Sequence, residues 1–152
     1  GKASDFESEL TKLCGRPVIH TIRDAEPLGP KLKLALLAIS PCTGNTLAKL
    51  ACGVTATAVT MAAKAHLRSD RPLVIALASN DAMSANLANL GRLLNRKNVY
   101  FVPLRQDGVR GKAAAAAVRI TAQPDSGQTN IPTGYFRSRR YFCLVIVYVD
   151  AL

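Results

Sequence analysis

Tryptophan is absent from this chain of 152 residues, and Phe and Tyr together bring the aromatic share to only 5%. A single-strand nucleic-acid reader needs stacking aromatics interleaved with basic groups, and no stretch here alternates them. Histidine occurs only as His20 and His66, and the four cysteines (Cys14, Cys42, Cys52, Cys143) contain no C-x-x-C pair. The spacing of a structural zinc site is therefore missing, and no metal ligand is assigned. The cysteines read instead as reduced, small hydrophobes of a cytosolic protein. Acidic residues are scarce as well: 10 stand against 20 Lys and Arg, a formal charge of +10. Such a surplus points to an anionic partner, a phosphorylated cofactor or a small acidic metabolite. The one dense basic cluster is RSRR at 137–140 and the rest is dispersed, so nucleic acid is not the expected partner. The longest apolar run, YFCLVIVYV at 141–149, is well short of the about 20 residues a membrane-spanning helix needs. With no signal peptide visible either, the expectation is a cytoplasmic protein with no membrane partner.

What is present is a globular composition. Apolar residues make up 49% and charged residues 20%, enough for one domain with a real core. The first segment reads as a helix, with Ser4 and Glu7 as a capping box, Phe6, Leu10 and Leu13 on one face, and Gly15 closing the end. PVIHTI (17–22) is a short β-prone run, followed by the turn-rich linker DAEPLGPKLK. LALLAIS (34–40) and PLVIALA (72–78) are continuously apolar, as central parallel strands covered on both faces are. VYFVP (99–103) reads as a further strand. Helices are expected from Thr46 onward with Leu47, Leu50, Ala51 and Val54 on one face, over about 57–68, behind SND with Met83, Leu87, Leu90 and Leu94, and over GKAAAAAVRI. Strands alternating with helices imply a mostly parallel sheet between helical layers: an α/β, Rossmann-like or flavodoxin-like three-layer sandwich.

In such sheets ligands bind beyond the carboxyl ends of the strands. Two ends stand out, SPCTGNT after one central strand and ASND after the other. Pro41 stiffens the first exit, and Gly44 lets the backbone approach a ligand without a Cβ in the way. Thr43, Asn45 and Thr46 add short donors and acceptors at the positive end of a helix. The group suits a planar heterocycle rich in donors and acceptors, or a phosphate. It lacks the Lys of a Walker loop and the three glycines of a dinucleotide fingerprint. The plainer reading is a helix cap, by Thr43 or Asn45 in the first loop and by Ser79, Asn80 or Asp81 in the second.

These segments carry a resemblance. SPCTGNTLAKLACGV is similar to the P-x-S-x-N-T loop and following helix of the flavin-binding, cysteine decarboxylase-like flavoproteins. VIHTIRDAEPLGPK, MAAKAHLRSDRPLVIALASNDAMSANLANLGRLLNRKNVYFVP and QDG resemble one branch of that family in order and spacing. The resemblance implies a domain over residues 1–123 that binds FMN and assembles into trimers or dodecamers. It implies that Pro41, Thr43, Gly44, Asn45 and Thr46 contact the flavin, with Ala78, Ser79, Asn80 and Asp81 as the second loop beside it. In that branch the chain works beside a separate nicotinamide-binding A subunit, in the mother cell of a sporulating bacterium. The reaction implied is oxidation of a dihydrodipicolinate precursor to dipicolinate, a small acidic metabolite. No residue is singled out for proton transfer. Family members open with a strand and a G-x-T-G-S-type phosphate loop, whereas this sequence begins at a helix, so a chain without that strand is expected.

Two departures separate the chain from the decarboxylases. Pro27 stands where they carry a histidine upstream of the loop, and their P-x-M-N motif reads ASND here. Both disfavour the alternative of a phosphopantothenoylcysteine decarboxylase-like activity. A cofactor-free assembly module, in which the loops only cap helices, is the other alternative. Residues 124–152 match nothing expected of the family and read either as an added edge strand or as the product of a shifted frame. Cys42 is expected as a packed thiol, Lys64 and Arg68 as a solvated helix face, and Asp24 and Glu26 as turn residues.

Overall fold

The computed structural model of the chain describes residues 3–32, 34–104 and 143–146. Helix α1 spans Ala3–Cys14, and Gly15 follows it at φ 62°. Ser4 lies inside this helix and its carbonyl accepts a hydrogen bond from Ser8 Oγ at 2.9 Å, so the Ser4–Glu7 capping box does not form. Residues 17–20 carry no regular structure, and the expected strand gives way to a short helix, α2 (Ile22–Ala25). The reason is local. Pro17 has no N–H to give a ladder. Thr21 caps α2, its Oγ1 accepting from the Asp24 amide at 3.1 Å and donating to Asp24 Oδ2 at 2.6 Å. Asp24 thus serves the turn.

The remaining elements are β1 (Leu36–Cys42), α3 (Gly44–Cys52), α4 (Ala58–Leu67), β2 (Leu73–Leu77), α5 (Leu87–Leu94), β3 (Val99–Phe101) and β4 (Cys143–Ile146). The strands form one sheet in the order β3-β2-β1-β4, and every pairing is parallel. Leu37 pairs with Leu73, and Leu73 with Val99. The register between β1 and β2 shifts between Ile39 and Cys42, where the Ser40–Pro41 peptide is cis. Four successive residues of β1, Leu36 to Ile39, are buried, because helices and loops cover both faces of the sheet. Leu37, Ile39, Leu73, Ile75 and Leu77 form the centre of the core with Leu47 of α3 and Val59 of α4. The arrangement is α/β and flavodoxin-like. Within 124–152 the described residues are Cys143–Ile146, which form β4 beside β1. The expected helix at 111–120 and the basic cluster at 137–140 lie outside the described residues.

Helix α4 carries a reciprocal capping box, in which the Thr57 and Thr60 side chains each accept from the other residue's backbone amide. It packs against α2, β1 and β2. The α2–β1 linker closes onto it at Gly29, where a Cβ would run into the Ala65 carbonyl. The next residue, His66, is fully buried, with Nε2 2.9 Å from the Pro72 carbonyl. A carbonyl only accepts, so Nε2 carries the proton and Nδ1 is left as an acceptor without a partner.

Helix α5 starts later than the sequence predicts. Residues 80–86 form turns, and the apolar face that reaches the core is Leu90 and Leu93, while Met83, Leu87 and Leu94 are half exposed or more. The Asp81 carbonyl explains the delay: it accepts from the Ser84 and Asn86 amides, both at 3.1 Å, and from Ser84 Oγ at 3.3 Å. Local bonds of this kind compete with a helical ladder. Among the described residues no helix is long and apolar enough to cross a membrane.

Candidate functional site

The carboxyl ends of β1 and β2 lie side by side, and the Ala78 amide donates to the Cys42 carbonyl at 2.8 Å. This bond brings the two expected loops together. From the first, Thr43 takes the N-cap of α3, in extended conformation, with Oγ1 accepting from the Thr46 amide at 3.3 Å. The Thr43 and Thr46 hydroxyls are 3.2 Å apart, and Thr46 is buried. Thr43 therefore caps α3, one of the two caps that the plainer reading of the sequence offers, and Thr46 is its partner in the turn. Pro41 and Asn45 are exposed, and the Asn45 amide has no hydrogen-bond partner among the described residues. Cys42 faces the core. Burial pushes its thiol up to about 12, and Sγ lies 3.6 Å from the Thr43 carbonyl.

From the second loop, Ser79 and Asp81 turn back towards α3. Ser79 Oγ donates to Asp81 Oδ1, and the Asn86 side-chain amide donates to the same oxygen at 2.8 Å. These two bonds hold the Asp81 carboxyl below its ordinary value, outweighing the desolvation that opposes them. Asn80 is exposed. None of Ser79, Asn80 and Asp81 caps a helix: the N-cap position of α5 is Asn86.

The two loops meet at Gly44. A Cβ there would lie 2.7 Å from Asn86 Nδ2, 2.7 Å from Ser79 Oγ and 3.2 Å from Asp81 Oδ1. Glycine lets the α3 amino terminus close against this cluster without displacing these side-chain ends. The outcome is a polar ledge with two exposed amides, Asn45 and Asn80, and a carboxylate, set over a helix amino terminus whose dipole favours electron-rich groups. An open apolar groove begins at Met83 and runs along α5 past Leu87 and Leu94 to Phe101 and Leu104. None of the residues of the two loops lines this groove. The absent Cβ at Gly44 is what lets the two loops close on each other.

Helix α4 runs back to the amino end of β2, so Lys64 and Arg68 lie at the other end of the sheet, both exposed. Among the described residues no group of His, Cys, Asp and Glu could hold a metal ion. Asn86, buried at 7% exposure, is the participant that sequence reasoning missed. Its only signal is its place directly before the apolar spacing of LANLGRLL.

The profile of the Flavoprotein family matches residues 18–127. The B subunit of dipicolinate synthase from Bacillus subtilis (strain 168) is 39% identical over 126 residues, which are 83% of this chain and 63% of that protein. The crystal structure of the dipicolinate synthase B subunit from Bacillus halodurans C superposes with a TM-score of 0.72 at 36% identity, over 77% of this chain and 61% of that one. An FMN-dependent cysteine decarboxylase shares the fold, with a TM-score of 0.55 at 23% identity over 72% of this chain and 63% of its own. The chain spans less than two thirds of the length of these relatives.

Proposed function

This chain belongs to the Flavoprotein family, and on that premise we propose that its β1 and β2 strand ends hold FMN and that it works as the B subunit of a dipicolinate synthase. The observation that carries the reading is the closure of the two loops at Gly44, which sets Gly44 of the first against Ser79 and Asp81 of the second. The likeness to the two B-subunit relatives over most of the chain supports the assignment to that branch.

Bound flavin supplies the redox chemistry; this chain's residues bind and orient it. The α3 amino terminus at Thr43–Thr46 would favour an electron-rich group of the ring. Gly44 would hold the two loops together, and the Asn45 and Asn80 amides would donate to ring carbonyls or ribityl hydroxyls. Ala78 and Ser79 would support the second loop, Asp81 would accept from a ligand N–H, and Pro41 would direct the exit of β1. The substrate is a dihydrodipicolinate and the product dipicolinate, small acids that the formal +10 charge attracts. The partners are further copies of this chain, in a trimer or dodecamer, together with a nicotinamide-binding A subunit. The setting is the cytoplasm of a sporulating mother cell.

The test is a titration of FMN with the purified chain, followed by flavin fluorescence and visible absorption. A saturable change is expected, and Gly44→Ala should weaken it about tenfold, since its Cβ displaces the Ser79 hydroxyl and the Asn86 amide. A flavin spectrum unaltered at any protein concentration overturns the proposal.

A further inference from the structure

Asn86 occupies the N-cap position of α5 without its side chain doing the work of a cap. Its backbone is helical, at φ −84° and ψ −3°, and its side chain makes no capping bond. It is buried, and its side chain is fully engaged elsewhere. Nδ2 donates to Asp81 Oδ1 at 2.8 Å, and Oδ1 accepts from Asn89 Nδ2 at 3.0 Å. Its backbone amide reaches the Asp81 carbonyl at 3.1 Å. Side chain and backbone therefore grip the same residue from two sides.

The consequence falls on Asp81. Its Oδ1 accepts twice, from Ser79 and from Asn86. The side-chain donors that reach Asp81 among the described residues both end on Oδ1, and its own backbone amide also lies against the carboxylate. Fixed in this way the carboxylate cannot rotate to exchange its oxygens without breaking both bonds. The Asn86 amide also abuts Gly44, so one side chain sets both the rotamer of Asp81 and the spacing between the loops.

We propose that Asn86 is the positioning residue of this site, holding Asp81 so that a single oxygen, Oδ2, is presented to accept a hydrogen bond from a ring N–H of the bound heterocycle. The inference rests on the reading of the ledge as a ring-binding site. It adds a selection rule: a ligand with a ring N–H is preferred to the same ring with that nitrogen methylated.

Asn86→Asp tests this directly. A second carboxylate then faces Asp81 in place of the donating amide, so the change strains the pair whatever its role. The readout that separates a positioning Asn86 from a merely structural one is ligand binding by the folded variant. Near pH 5 the pair shares a proton and keeps its bond, whereas near pH 8 the two charges repel. Riboflavin binding by the wild-type chain should be flat between those pH values. In N86D it should fall about tenfold or more as pH rises. The exchange D81N/N86D restores an amide–carboxylate pair and should flatten the profile again. Wild-type protein should bind 3-methylriboflavin about tenfold more weakly than riboflavin, and D81A should lose that distinction.

A folded N86D with wild-type affinity and a flat profile overturns the proposal, and so does equal wild-type binding of the two flavins. If the wild-type chain binds no flavin, the ring-binding reading fails separately. Thermal melts then decide the Asn86–Asp81 coupling. A loss in N86D at pH 8 that D81N/N86D reverses supports it, and a pH-independent melt overturns it.

Discussion

Cys42 and Cys52 bracket α3 and differ in everything that governs thiol reactivity. Cys42 is buried with its thiol pushed up to about 12, whereas Cys52 and Cys14 are exposed. The thiolate is the reacting species, so alkylation in native buffer should label Cys14 and Cys52 and spare Cys42 until denaturant is added, as peptide mass spectrometry reads directly. His66 makes the second residue-scale prediction. Burial, aided by the nearby Arg71 charge, lowers its pKa from 6.5 despite the bond to the Pro72 carbonyl. The unfolded chain therefore takes up the proton first as pH falls. Stability is full above the ordinary histidine value and is lost as pH drops through 6.5 towards the folded value. Urea midpoints should decline from about pH 7.5 to about pH 5.5, and His66→Gln, which keeps a donor for Pro72, should remove that decline. Asp81 and Asp70, both lowered from 3.8, lose their contributions only in a more acidic window.

Between elements, the contact that most constrains the fold outside the sheet is that of the Pro-Gly linker on α4. Gly29 is buried, and a Cβ there meets backbone, the Ala65 carbonyl, which cannot swing aside as a side chain would. Gly29→Ala should cost about 2–3 kcal/mol, measured by denaturant unfolding, and should leave α3 and the site loops intact. The same scale shows why one expected strand is missing. PVIHTI has the composition of a strand, yet a strand exists only with a neighbour to pair with. Residues 17–20 reach no ladder, and Thr21 and Asp24 close a capped turn instead. Likewise the helix after β2 is delayed because the Asp81 carbonyl collects the donors that a helix needs.

For the molecule as a whole the property with the longest reach is its charge. A formal +10 over 152 residues creates a field that attracts anions and is screened by salt. FMN carries a phosphate and riboflavin does not. Raising salt from about 50 to about 500 mM should therefore weaken FMN binding several-fold while leaving riboflavin nearly unchanged. Equal salt dependence of the two flavins would show that the field plays no part. Binding should also raise the melting temperature, by about 2.7 kcal/mol of stability at a hundredfold excess over Kd.

The parallel α/β class, the buried strands β1 and β2, the Thr43 cap and the two candidate loops were all legible in the residues. Each depends on short-range rules: continuous apolar runs, small polar residues at a strand exit, apolar spacing on a helix. The roles within the loops were not legible. Cys42 was already expected as a packed thiol, but that Thr46 is buried, that Asn86 grips Asp81 and that Gly44 is the meeting point all depend on residues distant in the chain. Tertiary packing alone decides them, because a side chain's burial and its partner's position are properties of the assembled sheet. The sequence by itself determined that two polar loops would end two buried strands. The fold decided that they close on each other, through the one place where no Cβ stands between them.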